Sequence, residues 1–532
     1  MRTLAGLILL AGYAVADNYP RQMGVDALHY VFRVTLGENG DEIAGEATAD
    51  IRFLSAGVRT VSLDLANVAG GKGMAVAGVT SKGAVVRFTH QNDVLVLSVP
   101  GTVAAGERRQ FTVRYRGTPA SGLVASKNQH GDRGVFSANW PNLARQWLPI
   151  IDHPYDKATS EFLVTAPVKY QVVANGVLAE ERELGDGRRL THWRQDQPIA
   201  SWLNAVGVAE FSVKHFATVR GVPLQTWVPY QEREAGIATF ESASRQALEF
   251  MSDFVGPYPY NKLANIWAWV PGFGGGTEHA GAIFYSCCKT STGVVWHEIV
   301  HQWFGDAVTE KDWNDVWLSE GFTTYFTHLV REHYEGRDAF VAGLKADRPR
   351  IFAAESKFPS ARVVHADLAD MKGVLQPGAV FYQKGSWVLH MLRGQIGFDT
   401  FGAGIREYYR LYRDKNAATD DFRRVMEEAS GQDLREFFGQ WLQRTPSPVV
   451  EGAWQYNAGT KKVEVTLTQT QGGDAYRLPL EFGLTIAGQT RLEKVEFSMK
   501  QQRFEMAVEA EPSAVVLDPN TWVLMESRFG KK

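Results

Sequence analysis

The stretch HEIVHQWFGDAVTEKDWNDVWLSEGF, from His297 to Phe322, constrains this chain more than any other. On a helix, His297 and His301 lie about 400° apart, one turn above each other on a single face. Val295, Ile299 and Trp303 form a second ridge about 200° away, so the same helix can pack into a core while its histidines face a cleft. Two imidazoles at that spacing can share one zinc ion, and Glu298 between them is placed to reach a metal-bound water rather than the metal. Such a site needs a third protein ligand, and Glu320 follows His301 after 18 intervening residues. That interval accommodates the end of one helix at Gly305, a loop, and a second helix from about Asp315. On the second helix Leu318, Phe322, Tyr325 and Leu329 form the apolar stripe, and Gly321 permits close approach. In a chain with 13 histidines the HExxH string arises by chance in about 0.02 of sequences, and the spaced glutamate lowers this to about 0.001. The motif is one site. Asp306 and Asp315 are the candidates for orienting its ligands.

The rest of the chain supplies a scaffold of several domains, since 532 residues exceed a single ordinary core. Composition is that of a globular protein, 45% hydrophobic and 22% charged. A net charge of -3 provides no basic field for nucleic acid or anionic membrane. From about Ala27 to Val213 alternation dominates; in FTVRYRG, Phe111, Val113 and Tyr115 share one face and Arg114 and Arg116 the other. This reads as a large antiparallel β domain. Beyond about Gly221 the period shifts toward 3.6, as in TDDFRRVMEEASG, with Phe422, Val425 and Met426 on one stripe and Gly431 at the stop. Alternation returns in KKVEVTLTQT, where Val463, Val465 and Leu467 line one face of a small closing β domain.

The N-terminal MRTLAGLILLAGYAVA has an arginine, an apolar run and a small-residue end, the pattern of a secretory signal peptide too short to span a bilayer comfortably. Export is therefore expected, with a mature chain from about Asp17, no stable membrane span, and a periplasmic or secreted location. Cys287 and Cys288 are adjacent, which ordinary disulfide geometry disfavours, so they read as small buried side chains.

The zinc motif in its W-L-S-E-G context resembles the aminopeptidase N family of gluzincin metallopeptidases. RQWLPIIDHPYDKATSEFLVTAP, FYQKGSWVLHML and FFGQWLQRTPSPVV are similar to other segments of that family. The resemblance implies a multidomain α+β fold: signal peptide 1–16, N-terminal β saddle 17–216, thermolysin-like catalytic domain 217–449, and small β-sandwich 450–532. The large helical lid of many members is not expected. It implies one zinc on His297, His301 and Glu320, with Glu298 as general base and Tyr382 as oxyanion donor. The family's G-x-M-E-N segment corresponds to GGTEH, where Gly275, Gly276 and Glu278 would hold a peptide and its free α-amine. Thr277 and His279 depart from that pattern. GFGGGTEH also lacks dinucleotide-loop spacing. The expected activity is removal of N-terminal residues from peptides through a zinc-activated water. A zinc endopeptidase of the same fold and a non-catalytic peptide-binding protein with a decayed site are the alternatives.

Overall fold

The computed structural model describes residues 17–532 except 39, 217, 273, 367, 369 and 370. The segment read as a signal peptide lies outside the described residues. An eight-stranded sheet forms the floor of the N-terminal third, in the order Val177–Glu183, Arg188–Ala200, Lys157–Pro167, Val25–Leu36, Ile43–Phe53, Arg108–Thr118, Gly73–Ser81 and Ala84–Val85. Its strands alternate buried and accessible residues, which is why one face lies against a core: Phe111, Val113 and Tyr115 are buried while Arg114 and Arg116 are exposed. The expected all-antiparallel pairing is corrected at one place. Val25–Leu36 runs parallel to Lys157–Pro167, with His29 opposite Thr159. Four- and three-stranded sheets complete this region.

A five-stranded sheet opens the middle region, ordered Phe211–His215, Leu224–Pro229, Leu263–Ala268, Ala282–Ser286 and Gly276–Thr277. Its first strand thus comes from residues before 217. Among the described residues eight α-helices are laid against it or follow it: α1 (Arg233–Phe254), α2 (Thr292–His301), α3 (Trp317–Glu335), α4 (Arg337–Lys357), α5 (Gly385–Ile396), α6 (Phe398–Tyr412), α7 (Thr419–Ser430) and α8 (Arg435–Gln443). The Ser291 side chain caps α2 by accepting from the Val294 N–H. Gly431, at φ +66°, ends α7 in the left-handed conformation that glycine adopts freely.

The C-terminal region is a four-stranded sheet facing a three-stranded one, built from strands between Val449 and Lys531. Val463, Val465 and Leu467 are all buried between them. Apolar residues of this sandwich and of the helices form one continuous core, whereas the N-terminal sheets enclose a second. Among the described residues no helix is long and apolar enough to cross a membrane.

The reading of the two cysteines is corrected. The structure joins Cys287 to Cys288, and both are only partly buried. Adjacent cysteines can still pair by closing an eight-membered ring within one dipeptide, a geometry outside the ordinary one on which the expectation rested.

Candidate active site

Helix α2 presents its sides as the periodicity requires. Val295, Ile299 and Trp303 are wholly buried on one side, and His297 and His301 project together on another, with their Nε2 atoms 3.2 Å apart. The helix ends at His301 rather than Gly305. Residues 302 and 303 form a turn, Phe304 makes a single bridge to Val308, and Gly305 takes φ +110°. Helix α3 starts at Trp317, after a single turn of tighter helix at Trp313–Asp315, and so carries Glu320 in its first turn. Glu320 Oε2 stands 3.4 Å from His297 Nε2 and 3.2 Å from His301 Nε2. One ligand atom from each of the three residues falls within 4.8 Å of the others.

These residues fit a divalent cation. Two imidazole nitrogens and a buried carboxylate oxygen without a hydrogen-bond partner all point at one volume. Glu278 and Glu298 add two more buried carboxyl groups beside this volume. Two histidines and one glutamate are the donor set of a catalytic zinc site that keeps an open position. His301 Nδ1 lies 3.1 Å from the Phe304 carbonyl, an acceptor only, so Nδ1–H donates there. Nε2 is thereby directed at the cluster.

Charge and burial act together on the titrating groups. Burial opposes a charge on His301, but the nearby carboxylates of Glu278 and Glu320 outweigh it and hold its pKa well above the usual imidazole range. Glu320 is also penalised by burial, yet His301 and His297 hold it below the ordinary carboxylate range. Glu298 moves the other way: burial, reinforced by Glu278, pushes it well up.

Glu298 lies on α2 with its carboxylate against Gly276, in the space a side chain at 276 would need. Gly276–Thr277 is the edge strand of the middle sheet, and Gly276 pairs with Tyr285. Gly275, at φ +87°, accepts the Ser286 N–H through its carbonyl. Glu278 follows that edge, 6% exposed, with Oε1 4.0 Å from His301 Nδ1. Gly276 and Glu278 therefore border the site, while Gly275 holds the start of the edge strand through its bond to Ser286.

Tyr382 arrives from a distant segment. It sits in a π-turn, Val380–Lys384, that runs directly into α5. Gly321 lets α3 approach this turn so closely that a Cβ there would lie 2.9 Å from the Phe381 carbonyl oxygen and 3.0 Å from Gly385 Cα. Lys384 fixes the far end of the turn, donating to Glu355 Oε1 at 2.7 Å and to the Arg444 carbonyl at 3.0 Å. The Tyr382 hydroxyl consequently donates to Glu320 Oε1 at 2.7 Å, and its ring stacks near His297.

The two candidates for orienting the ligands divide. Asp315 is corrected: its carboxylate accepts from the hydroxyl and N–H of Thr419 and so holds the start of α7. Asp306 is at the site's edge, accepting from Gln302 Nε2 at 2.8 Å. Ser319 and Thr323, unforeseen in the sequence, place their hydroxyls 3.2 and 3.0 Å from His301 Nδ1. Their signal is hydroxyl residues one helical turn apart on the buried first half of α3.

Comparison with known proteins agrees with this architecture. Residues 239–441 match the Peptidase family M1 domain, and residues 26–203 match the Peptidase M1 N-terminal domain. The chain belongs to peptidase family M1. It is 30% identical to the glutamyl aminopeptidase of Homo sapiens over 338 residues, 59% of this chain and 34% of that protein. The chain spans about a third of the length of the first curated relatives it matches. In fold it is similar to an M1 zinc metallopeptidase from Deinococcus radiodurans, with TM-score 0.68 at 24% identity, covering 80% of this chain and 95% of the other. It is also similar to Legionella pneumophila aminopeptidase A in complex with aspartic acid, with TM-score 0.82 at 17% identity, covering 97% of this chain and 61% of the other.

Proposed function

We propose that this chain is a zinc-dependent aminopeptidase that hydrolyses the N-terminal residue from peptides. The observation that carries the reading is the meeting of Glu278, Glu298 and Tyr382 around the His297–His301–Glu320 cluster, beside an unpaired sheet edge. The edge strand Gly276–Thr277 offers main-chain groups for an extended peptide. Glu278, placed where that strand ends, offers a carboxylate for a free ammonium, and the charged hydrogen bond selects terminal over internal or blocked residues. His297, His301 and Glu320 would hold the zinc, which when bound would supply Lewis acidity and lower the pKa of water at the site. Glu298 takes the proton of the attacking water and delivers it to the leaving amine. Tyr382, now hydrogen-bonded to Glu320, can turn its O–H toward the oxyanion that develops on the former carbonyl oxygen.

Export to the periplasm or the outside belongs to the same proposal and rests on the apolar, small-ending sequence of residues 1–16. N-terminal sequencing of the protein recovered from its native host tests it; a mature chain retaining residues 1–16 overturns it. The catalytic reading is tested by metal analysis coupled to turnover. The expected result is about one zinc per chain and hydrolysis of aminoacyl reporter substrates that is lost to a chelator and restored by zinc. A zinc-loaded, folded protein that turns over no aminoacyl or peptide substrate overturns it.

A further inference from the structure

Gln302 directly follows the second histidine of the cluster, and its side chain is completely buried. Its Nε2 donates to the Glu278 carbonyl and to Asp306 Oδ2, each at 2.8 Å. Its Oε1 accepts from the Gly281 N–H at 2.8 Å and from the Tyr258 hydroxyl at 3.2 Å. An amide side chain has two N–H donors and two oxygen lone pairs, so all four positions are in use. Glu278 and Gly281 bracket the turn by which the edge strand Gly276–Thr277 returns to Ala282–Ser286. Both ends of that turn are therefore tied to the residue that ends the zinc helix. Asp306, itself fully buried, fixes the rotation of the Gln302 amide, because only the N–H side can face a carboxylate. Lys157, from the N-terminal sheet, donates to the Asp306 and Ala307 carbonyls at 3.0 and 2.9 Å and holds that support in place.

We propose that Gln302 is a positioning residue for recognition of the substrate's α-amine. It sets the separation between the backbone that carries Glu278 and the helix that carries His297, His301 and Glu298. The preference for a free N-terminus then depends on a side chain that touches neither metal nor substrate. The proposal rests on the aminopeptidase reading. A packing role alone would affect stability and leave selectivity unchanged.

The test uses the full zinc-loaded chain. Gln302→Met keeps the volume and deletes all four bonds; Gln302→Glu keeps the shape and the acceptors but has at most one O–H, so it cannot donate to both the Glu278 carbonyl and Asp306. Zinc content, kcat and KM on an aminoacyl p-nitroanilide, and calorimetric Kd for a reduced-amide dipeptide and its N-acetyl form are measured. Both variants are expected to retain zinc, to bind the free-amine dipeptide about tenfold more weakly or worse, and to lose a similar factor in discrimination against the acetyl form. The rise should fall mainly on KM. Where neither variant folds, Asp306→Ala, which frees the amide to rotate, should show the same loss, and Asp306→Asn, which still offers an acceptor, should recover discrimination. Folded variants with wild-type Kd and wild-type discrimination overturn the proposal. A wild-type protein that itself ignores acetylation overturns the aminopeptidase reading instead, which is a separate result.

Discussion

Gly305 is where backbone conformation and metal binding meet, and Gly305→Ala should separate them cleanly. At φ +110° a residue with a side chain is strained by about 1–3 kcal/mol. A Cβ there would overlap the Ser319 hydroxyl and lie 2.9 Å from His301 Nδ1. Ordinary contacts begin near 3.5 Å, so the imidazole must retreat by roughly half an ångström and Ser319 by more. That movement lengthens the Nδ1–H bond to the Phe304 carbonyl, now 3.1 Å, and swings Nε2 away from Glu320. Loss of a partner that orients a metal ligand typically costs 10- to 100-fold in metal affinity, or about 1.4–2.8 kcal/mol. Competition with a chromophoric zinc chelator gives the affinity, and urea unfolding of the metal-free protein gives the strain. The expected result is weaker zinc binding in that range together with a lower unfolding midpoint. Combining the change with Ser319→Ala, which removes the nearest clash, should restore part of the loss. Wild-type zinc affinity in folded Gly305→Ala would refute the reasoning.

Glu298→Gln should keep its zinc, since Glu298 is not a ligand, and lose about two to four orders of magnitude in turnover; departure of the metal with that change would contradict the assignment. Tyr382→Phe deletes one hydroxyl and should cost roughly 3 kcal/mol in kcat with little change in KM, measured on the same reporter substrate. Unaltered kcat would place Tyr382 in the core alone. Asp156, whose carboxylate accepts the Ala27 N–H, has its pKa raised by burial to about 7. Between its unfolded value near 4 and this folded value the native state binds the extra proton, so wild-type stability falls as pH rises through that window. Asp156→Asn removes the titration, and its stability relative to wild type should climb from pH 4 to pH 7 and level off above pH 8, by at most about 4 kcal/mol. Urea midpoints at five pH values give the comparison; a pH-independent difference contradicts it.

Most of the candidate metal cluster was legible because a helix converts sequence spacing into direction: His297, Glu298 and His301 fall within one continuous helix, and Glu320 in the first turn of the next one after it. The order of β, helical and β regions was legible for the same reason: each period reports a burial pattern. Tyr382 was different. It is 62 residues from Glu320, and its placement depends on contact between Gly321 and the Phe381–Gly385 backbone, which no local period records; only the family resemblance pointed to it. The parallel pairing of Val25–Leu36 with Lys157–Pro167 was also hidden, since alternation reveals which face is buried but not the direction of a neighbour more than a hundred residues away. Gln302, Ser319 and Thr323 were missed because polar residues on buried helices look like exceptions until their partners are seen. Asp315 was misassigned because closeness in sequence to the motif stood in for closeness in space.

In the proposed function a free α-amine is recognised beside a hydrolytic zinc site. It is tested most directly by one comparison: kcat/KM of the zinc-loaded wild-type protein on a peptide with a free N-terminus against the same peptide N-acetylated. Release of the first residue is expected from the free peptide and almost none from the acetylated one, because acetylation removes the charge that Glu278 would pair with and adds bulk at that end of the cleft. Equal cleavage of both peptides, or cleavage at internal bonds, would contradict it.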